Sequence, residues 1–154
     1  MSRTIRGLLL TASMAALAFA ANAEQTVEER IAALEAMVAD SKKQWKKADS
    51  FYEIAAGLTT SPAGVYNNWG FSKLSRGDAK GAEKLFSDAL RFDPALFTSK
   101  NNLVMARAAQ GKYDLPVVEM SQTERAQLIY TAALAAIKRG DVSIGKGLLQ
   151  DAIE

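Results

Sequence analysis

From Val27 onward the apolar residues recur as Val27, Ile31, Leu34 and Val38, then Trp45, Ala48, Tyr52 and Ala55. The steps alternate four and three, with Ser41 in the one missing place. That pattern predicts an amphipathic helix with a heptad-like stripe. Thr26 and Glu29 form a capping-box signature at its start. The helix is expected to end near Gly57, before the turn-forming run Thr59-Thr60-Ser61-Pro62. Two readings of the stripe stay open: a coiled-coil arm for self-association or partner capture, and a helix lying against the rest of the chain.

Beyond Pro62 the pattern becomes a pair of helices. Tyr66 and Trp69 are three apart and share a helix face, and Gly70 beside them allows close approach of a neighbour. Gly77 followed by Asp78 reads as a helix C-cap with positive φ. Ala82, Phe86 and Ala89 then place one large ring between two small contacts on a returning helix, which Pro94 terminates. The pair repeats. Asn67-Asn68-Trp69 matches Asn101-Asn102-Leu103 at a shift of 34 positions, and the same shift carries Gly77 onto Gly111. Arg76-Gly77-Asp78 recurs as Arg139-Gly140-Asp141, a shift of 63 that sets Phe86 on Leu149 and Ala89 on Ala152.

Two departures from the repeat carry expectations. Val104 stands where the first copy has Gly70, which implies a wider helix pair in the second copy. Pro116 also interrupts what would be its second helix. Residues Lys112 to Met120 are therefore expected to be irregular or a single short turn. A new helix should start after Ser121, which makes a capping box with Glu124. The third copy reaches Glu154 without a terminating proline or polar cap, so either the sequence is a fragment of a longer repeat protein, the favoured expectation, or a partner covers Leu148, Leu149 and Ala152.

The first residues read as an address rather than as structure. Arg3 and Arg6 precede an uncharged apolar run from Gly7 to Ala21, and Ala21-Asn22-Ala23 is an A-x-A cleavage site. Residues 1–23 are thus expected to be a signal peptide removed after Ala23, which sends the protein to the periplasm. Loss of Arg3 and Arg6 lowers the 19 basic residues to 17, equal to the 17 acidic ones. A neutral exported chain gives no support to a nucleic-acid partner. The absence of His and Cys removes the commonest general base, the soft metal ligands and the thiol nucleophile. Gly140, Gly145 and Gly147 match no nucleotide-binding fingerprint. No enzymatic activity, catalytic residue, metal, cofactor or small-molecule substrate is expected.

The ordered set Tyr66, Trp69, Gly70, Gly77, Ala82, Phe86, Ala89 and Pro94 resembles the tetratricopeptide (TPR) repeat. The resemblance runs from about Ala63 to the C-terminus. It implies an all-α fold: an N-terminal amphipathic helix and linker over 24–60, followed by a short TPR helix-turn-helix array over 61–154, wound as a right-handed α-solenoid. Its copies would cover about 61–96, 97–121 (degenerate) and 122–154 (incomplete). The leader, the doubled asparagines of Tyr66-Asn67-Asn68-Trp69 and Asn101-Asn102-Leu103, and Pro116-Val117-Val118 ahead of Ser121-Gln122-Thr123-Glu124 resemble more narrowly the TadD-like proteins of Tad (Flp) pilus assembly. That resemblance implies an envelope assembly factor for a type IVb pilus and its secretion machinery, with protein partners such as the secretin or other pilus-assembly components. It places such a factor either free in the periplasm or at the outer membrane, and the chain has no cysteine for a lipoprotein attachment site.

In arrays of this kind the first helices line a concave surface. Asn67 and Phe71, their equivalents Asn101 and Met105, and Tyr130 in the third copy are the expected partner-binding residues. The amides would bond a peptide backbone, and the softer side chains would accept varied apolar groups. Asn68 and Asn102 read as scaffold. The alternative function is a self-associating structural or accessory periplasmic protein, a homo-oligomer formed through residues 27–55 with no peptide groove in use.

Overall fold

The computed structural model describes residues 27–152; the expected signal peptide and the Thr26 cap lie outside the described residues. The chain divides after Thr60 into two compact units. Helices are the only regular elements among the described residues, so the fold is all-α.

The first unit holds α1, residues 27–41, and α2, Trp45–Leu58. The unbroken helix expected from Val27 to Gly57 is therefore interrupted. The chain turns through 42–44, where Lys43 adopts φ 56°. Lys43 N–H donates to Asp40 O at 2.9 Å and Gln44 N–H to Ala39 O at 2.9 Å, the paired bonds of a Schellman C-cap. The buried face also differs from the stripe. Ala32, Ala36 and Ala39 of α1 are buried with Ala48, Tyr52 and Ala55 of α2, whereas Val27, Ile31, Leu34 and Val38 are all more than half exposed. The Tyr52 hydroxyl donates to Asp40 Oδ2 at 3.0 Å and ties the two helices.

A shift of 34 positions explains that choice of face. It carries Ala36, Lys43, Ala48, Tyr52 and Ala55 onto Gly70, Gly77, Ala82, Phe86 and Ala89. The first unit thus has the same order of small residue, left-handed turn, small residue, ring and small residue as the pair that follows it. At the turn a lysine stands where the other copies have glycine, and a left-handed L-residue is penalised by steric contact of its Cβ. Lys43→Gly is expected to stabilise the first unit by about 1 kcal/mol, seen as a higher melting temperature; a lower one would contradict this account of the turn.

The second unit contains α3 (Ala63–Ser75), α4 (Ala79–Phe92), α5 (Phe97–Ala108), α6 (Gln122–Arg139) and α7 (Val142–Asp151). Each packs on its chain neighbour, and α3 also packs on α5. Gly77, Gly111 and Gly140 have φ of 88°, 78° and 103° and close α3, α5 and α6 with the same Schellman bonds. Gly70 lets α3 reach the fully buried Phe86 ring; a Cβ there would stand 2.6 Å from Phe86 Cε1. Phe86 centres a core with Ala82, Leu90, Leu103 and Ala106.

After α5 the chain forms no helix until Gln122, as Pro116 led one to expect. The wider helix pair expected at Val104 does not occur, because α5 has no returning helix of its own. Val104 instead packs with Leu128 and Ala132 of α6, and loop residues Leu115 and Met120 close over them. The new helix starts where its capping box predicts: Ser121 Oγ accepts from Glu124 N–H at 3.1 Å, and Glu124 Oε2 accepts from Ser121 N–H at 2.8 Å. In the last pair the close approach has changed sides. A Cβ on Gly145 of α7 would meet Ile137 at 2.4 Å and the Ala133 carbonyl at 2.8 Å. Leu149, the sequence equivalent of Phe86, is only partly buried.

Candidate functional site

Three first helices, α3, α5 and α6, lie side by side in the second unit, α3 against α5 and α5 against α6. Asparagines join them. Asn67 Oδ1 on α3 accepts from Ser99 Oγ at 2.9 Å and from Asn102 Nδ2 at 3.0 Å, both on α5. One step along, Asn101 Oδ1 on α5 accepts from Thr131 Oγ1 on α6 at 2.7 Å. Ser99 and Asn102 are buried, so these bonds satisfy polar groups that would otherwise be stranded between helices. Asn67 and Asn101 therefore each spend the carbonyl end of the side chain on the scaffold. Their amide ends are more weakly engaged, Asn67 Nδ2 at 3.5 Å from Asn68 Oδ1 and Asn101 Nδ2 at 3.9 Å from Met105 Sδ. A peptide carbonyl can take those N–H groups.

Large apolar side chains stand out from the same three helices. Phe71 is 54% exposed, Met105 39%, Tyr130 52% and Leu134 46%. Phe71, Met105 and Leu134 occupy one position of the repeat, related by the shifts of 34 and 63. Beside them lies a mostly apolar cleft of about 740 Å³ whose walls include Phe97 and Asn101 of α5, Tyr130 and Thr131 of α6, and Leu149 of α7. Of the five expected binding residues, the structure brings Asn101 and Tyr130 together in this cleft. Asn67, Phe71 and Met105 lie outside its walls, on α3 and α5. Phe97 and Thr131 are wall residues that sequence reading missed; Phe97 also packs against the core of Val104, Leu128 and Ala132, so its apolar ring read only as core.

A second cleft, about 440 Å³, lies between α4, α5 and the 109–121 loop, and its walls mix charged side chains such as Glu83, Arg107 and Asp114 with apolar ones such as Leu103 and Leu115. Glu83 accepts from Arg107 at 2.9 Å, Gln110 at 2.6 Å and Lys112 at 3.2 Å, and Arg107 also pairs with Asp114. Arg139 Nη1 donates to the Ala109 carbonyl at 2.6 Å, and the Tyr113 hydroxyl donates to Asp141. These bonds hold the loop that replaces a helix. Burial pushes the Glu83 carboxyl upward, but hydrogen bonds from Gln110 and Lys112 and the Lys112 and Arg107 charges outweigh it and hold the group below its ordinary range. The Ser121 N–H and the Lys100 ammonium lower Glu124 likewise.

Both carboxylates bind protons less readily when folded than when unfolded. Their stabilisation is whole above the ordinary carboxylate pKa of about 4.3 and is lost as pH falls through the lowered folded values. The melting temperature should fall as pH drops from about 6 to about 3, and Glu83→Gln should flatten part of that fall. An unchanged melting temperature over that range would contradict the assignment.

Among the described residues no group of His, Cys, Asp and Glu is placed to hold a metal ion. No described helix is long and apolar enough to span a membrane. Comparison with protein-family models and with the curated proteins gives no match to this chain.

Proposed function

We propose that the chain is an exported TPR-type scaffold that binds a protein segment across the α3, α5 and α6 face. The observation that carries this reading is the row of exposed Phe71, Met105 and Leu134 at one repeat position, beside the cleft that holds Asn101 and Tyr130. A solvent-facing residue that serves only as spacer has no reason to be large and apolar in every copy. Adaptable apolar contacts flanked by amide donors suit an extended or helical peptide. The α-solenoid arrangement is part of the same proposal, supported by the three matching helix ends at Gly77, Gly111 and Gly140 and by sequential packing from α3 to α7.

The place of action rests on the leader pattern: Arg3, Arg6, the run from Gly7 to Ala21, and Ala21-Asn22-Ala23. Together with the TadD-like arrangement of the asparagine pairs and Pro116, it supports a role in Tad (Flp) pilus assembly or the associated secretion. Its partners would be the secretin or another component of that machine. No catalysis is assigned.

The test is co-purification of envelope partners with the wild-type protein and with Phe71→Arg and Met105→Arg. Both residues are exposed, so the variants should keep their helicity while losing roughly ten-fold or more in partner recovery. Asn67 and Asn101 are poor sites for this test, because their substitution also unties α3 from α5 and α5 from α6. Full recovery with both arginine variants would remove this face from the function.

A further inference from the structure

The first unit presents a second apolar surface. Ile31, Leu34 and Val38 lie on α1 on a face centred roughly 130° round the helix from the buried alanines, at about 100° per residue. The repeat register shows how unusual that surface is. A shift of 68 positions sets Ile31, Leu34 and Val38 on Ser99, Asn102 and Ala106 of α5. There the same positions are buried, small or polar, and engaged with the preceding pair through Asn67, Ala82 and Phe86. On α1 they are large, branched and more than half exposed.

We propose that this stripe joins two copies of the chain, paired in parallel through α1. Residue type and charge both select that occupant. With Ile31 and Val38 at the a positions and Val27 and Leu34 at d, α1 has the branched-a, leucine-d arrangement that favours two parallel strands. Arg30 then falls at g and Glu35 at the following e, both exposed and on opposite borders of the stripe. In a parallel pair Arg30 meets Glu35 of the partner subunit on both sides of the seam. An antiparallel pair would instead set Glu28 against Glu35 of the partner subunit. A groove of about 290 Å³ beside the stripe, bounded by Phe51 and Lys47 of α2, gives room for incoming side chains. Two heptads are few for an isolated coiled coil, but α2 already holds α1 helical, so pairing carries no nucleation cost.

Sedimentation equilibrium of the purified protein should give a dimer. Ile31→Lys with Leu34→Lys should give a monomer of unchanged helicity. Arg30→Glu should weaken dimerisation roughly ten-fold through two repulsive pairs, and adding Glu35→Arg should restore it. Because the chain has no cysteine, Val27→Cys reports orientation: in a parallel dimer the two thiols oxidise to a disulfide, and in an antiparallel one they lie at opposite ends. A monomer at every concentration would overturn the proposal and leave the stripe to a different protein. A dimer unaffected by the lysine substitutions would overturn the surface, and a dimer that Val27→Cys does not crosslink would overturn the parallel register.

Discussion

Phe86→Ala is expected to cost about 3–5 kcal/mol. The ring is fully buried, and α3, α4 and α5 all contribute residues to its surroundings. Its removal leaves a cavity that Gly70 cannot fill, because the glycine is there to admit the ring. A domain of this size has about 5–15 kcal/mol in total, so the variant should melt far below wild type or fail to fold. Gly70→Ala tests the same contact from the other side. Alanine gains about 1 kcal/mol of helix propensity, but its Cβ would stand 2.6 and 2.8 Å from ring atoms that are fully enclosed. Overpacking of about 1–3 kcal/mol should therefore prevail. Phe86→Leu should relieve that clash, so Gly70→Ala combined with Phe86→Leu should be more stable than the sum of the single variants predicts, with coupling of about 0.5–3 kcal/mol. Simple additivity in denaturant unfolding would contradict the contact.

The second large effect is an asymmetry across one ion pair. Lys100 Nζ lies 3.0 Å from Glu124 Oε1, and the two side chains are 4% and 25% exposed. Removal of the carboxylate strands a buried ammonium and also breaks the capping box that starts α6. Removal of the lysine has a milder consequence. Its carboxylate partner still accepts the Ser121 N–H and reaches water. Glu124→Ala should lower the melting temperature much more than Lys100→Met does, and the double variant should recover the part of the loss that the stranded ammonium causes, leaving the part owed to the broken cap. A Lys100→Met drop as large as that of Glu124→Ala would show that the ion pair itself, rather than the stranded charge, sets the stability.

Why some of this was readable in the sequence and some was not follows from how each residue advertises its role. Gly77, Gly111 and Gly140 announce left-handed helix ends, because few other residues take that conformation without strain. Pro116 and the Ser121–Glu124 box announced a broken repeat and a fresh helix in the same way. The turn at Lys43 carried no such mark, so the stripe read as continuous. The buried face of α1 was missed for a related reason: Ala32, Ala36 and Ala39 contribute little to a hydrophobic pattern beside Ile31, Leu34 and Val38. The 34-residue shift would have exposed it, since Tyr52 falls on Phe86. Asn67 and Asn101 bond to neighbouring helices through their carbonyl ends, and no sequence pattern says which end of an amide is committed to a neighbour. The cleft was least legible, because Phe97, Tyr130 and Leu149 stand on three successive helices and come together only through the way those helices pack.

The proposed function puts a protein partner in the cell envelope on the α3, α5 and α6 face. The most direct measurement places a photo-crosslinking amino acid at Phe71, Met105 or Tyr130 in living cells and identifies what it captures by mass spectrometry. A probe at Val142, which is exposed on α7, serves as the comparison. The expected result is one shared partner, a pilus-assembly or secretion component, captured from all three face positions and not from Val142. Capture of the same proteins from Val142 as from the face, or of none from the face, would contradict it.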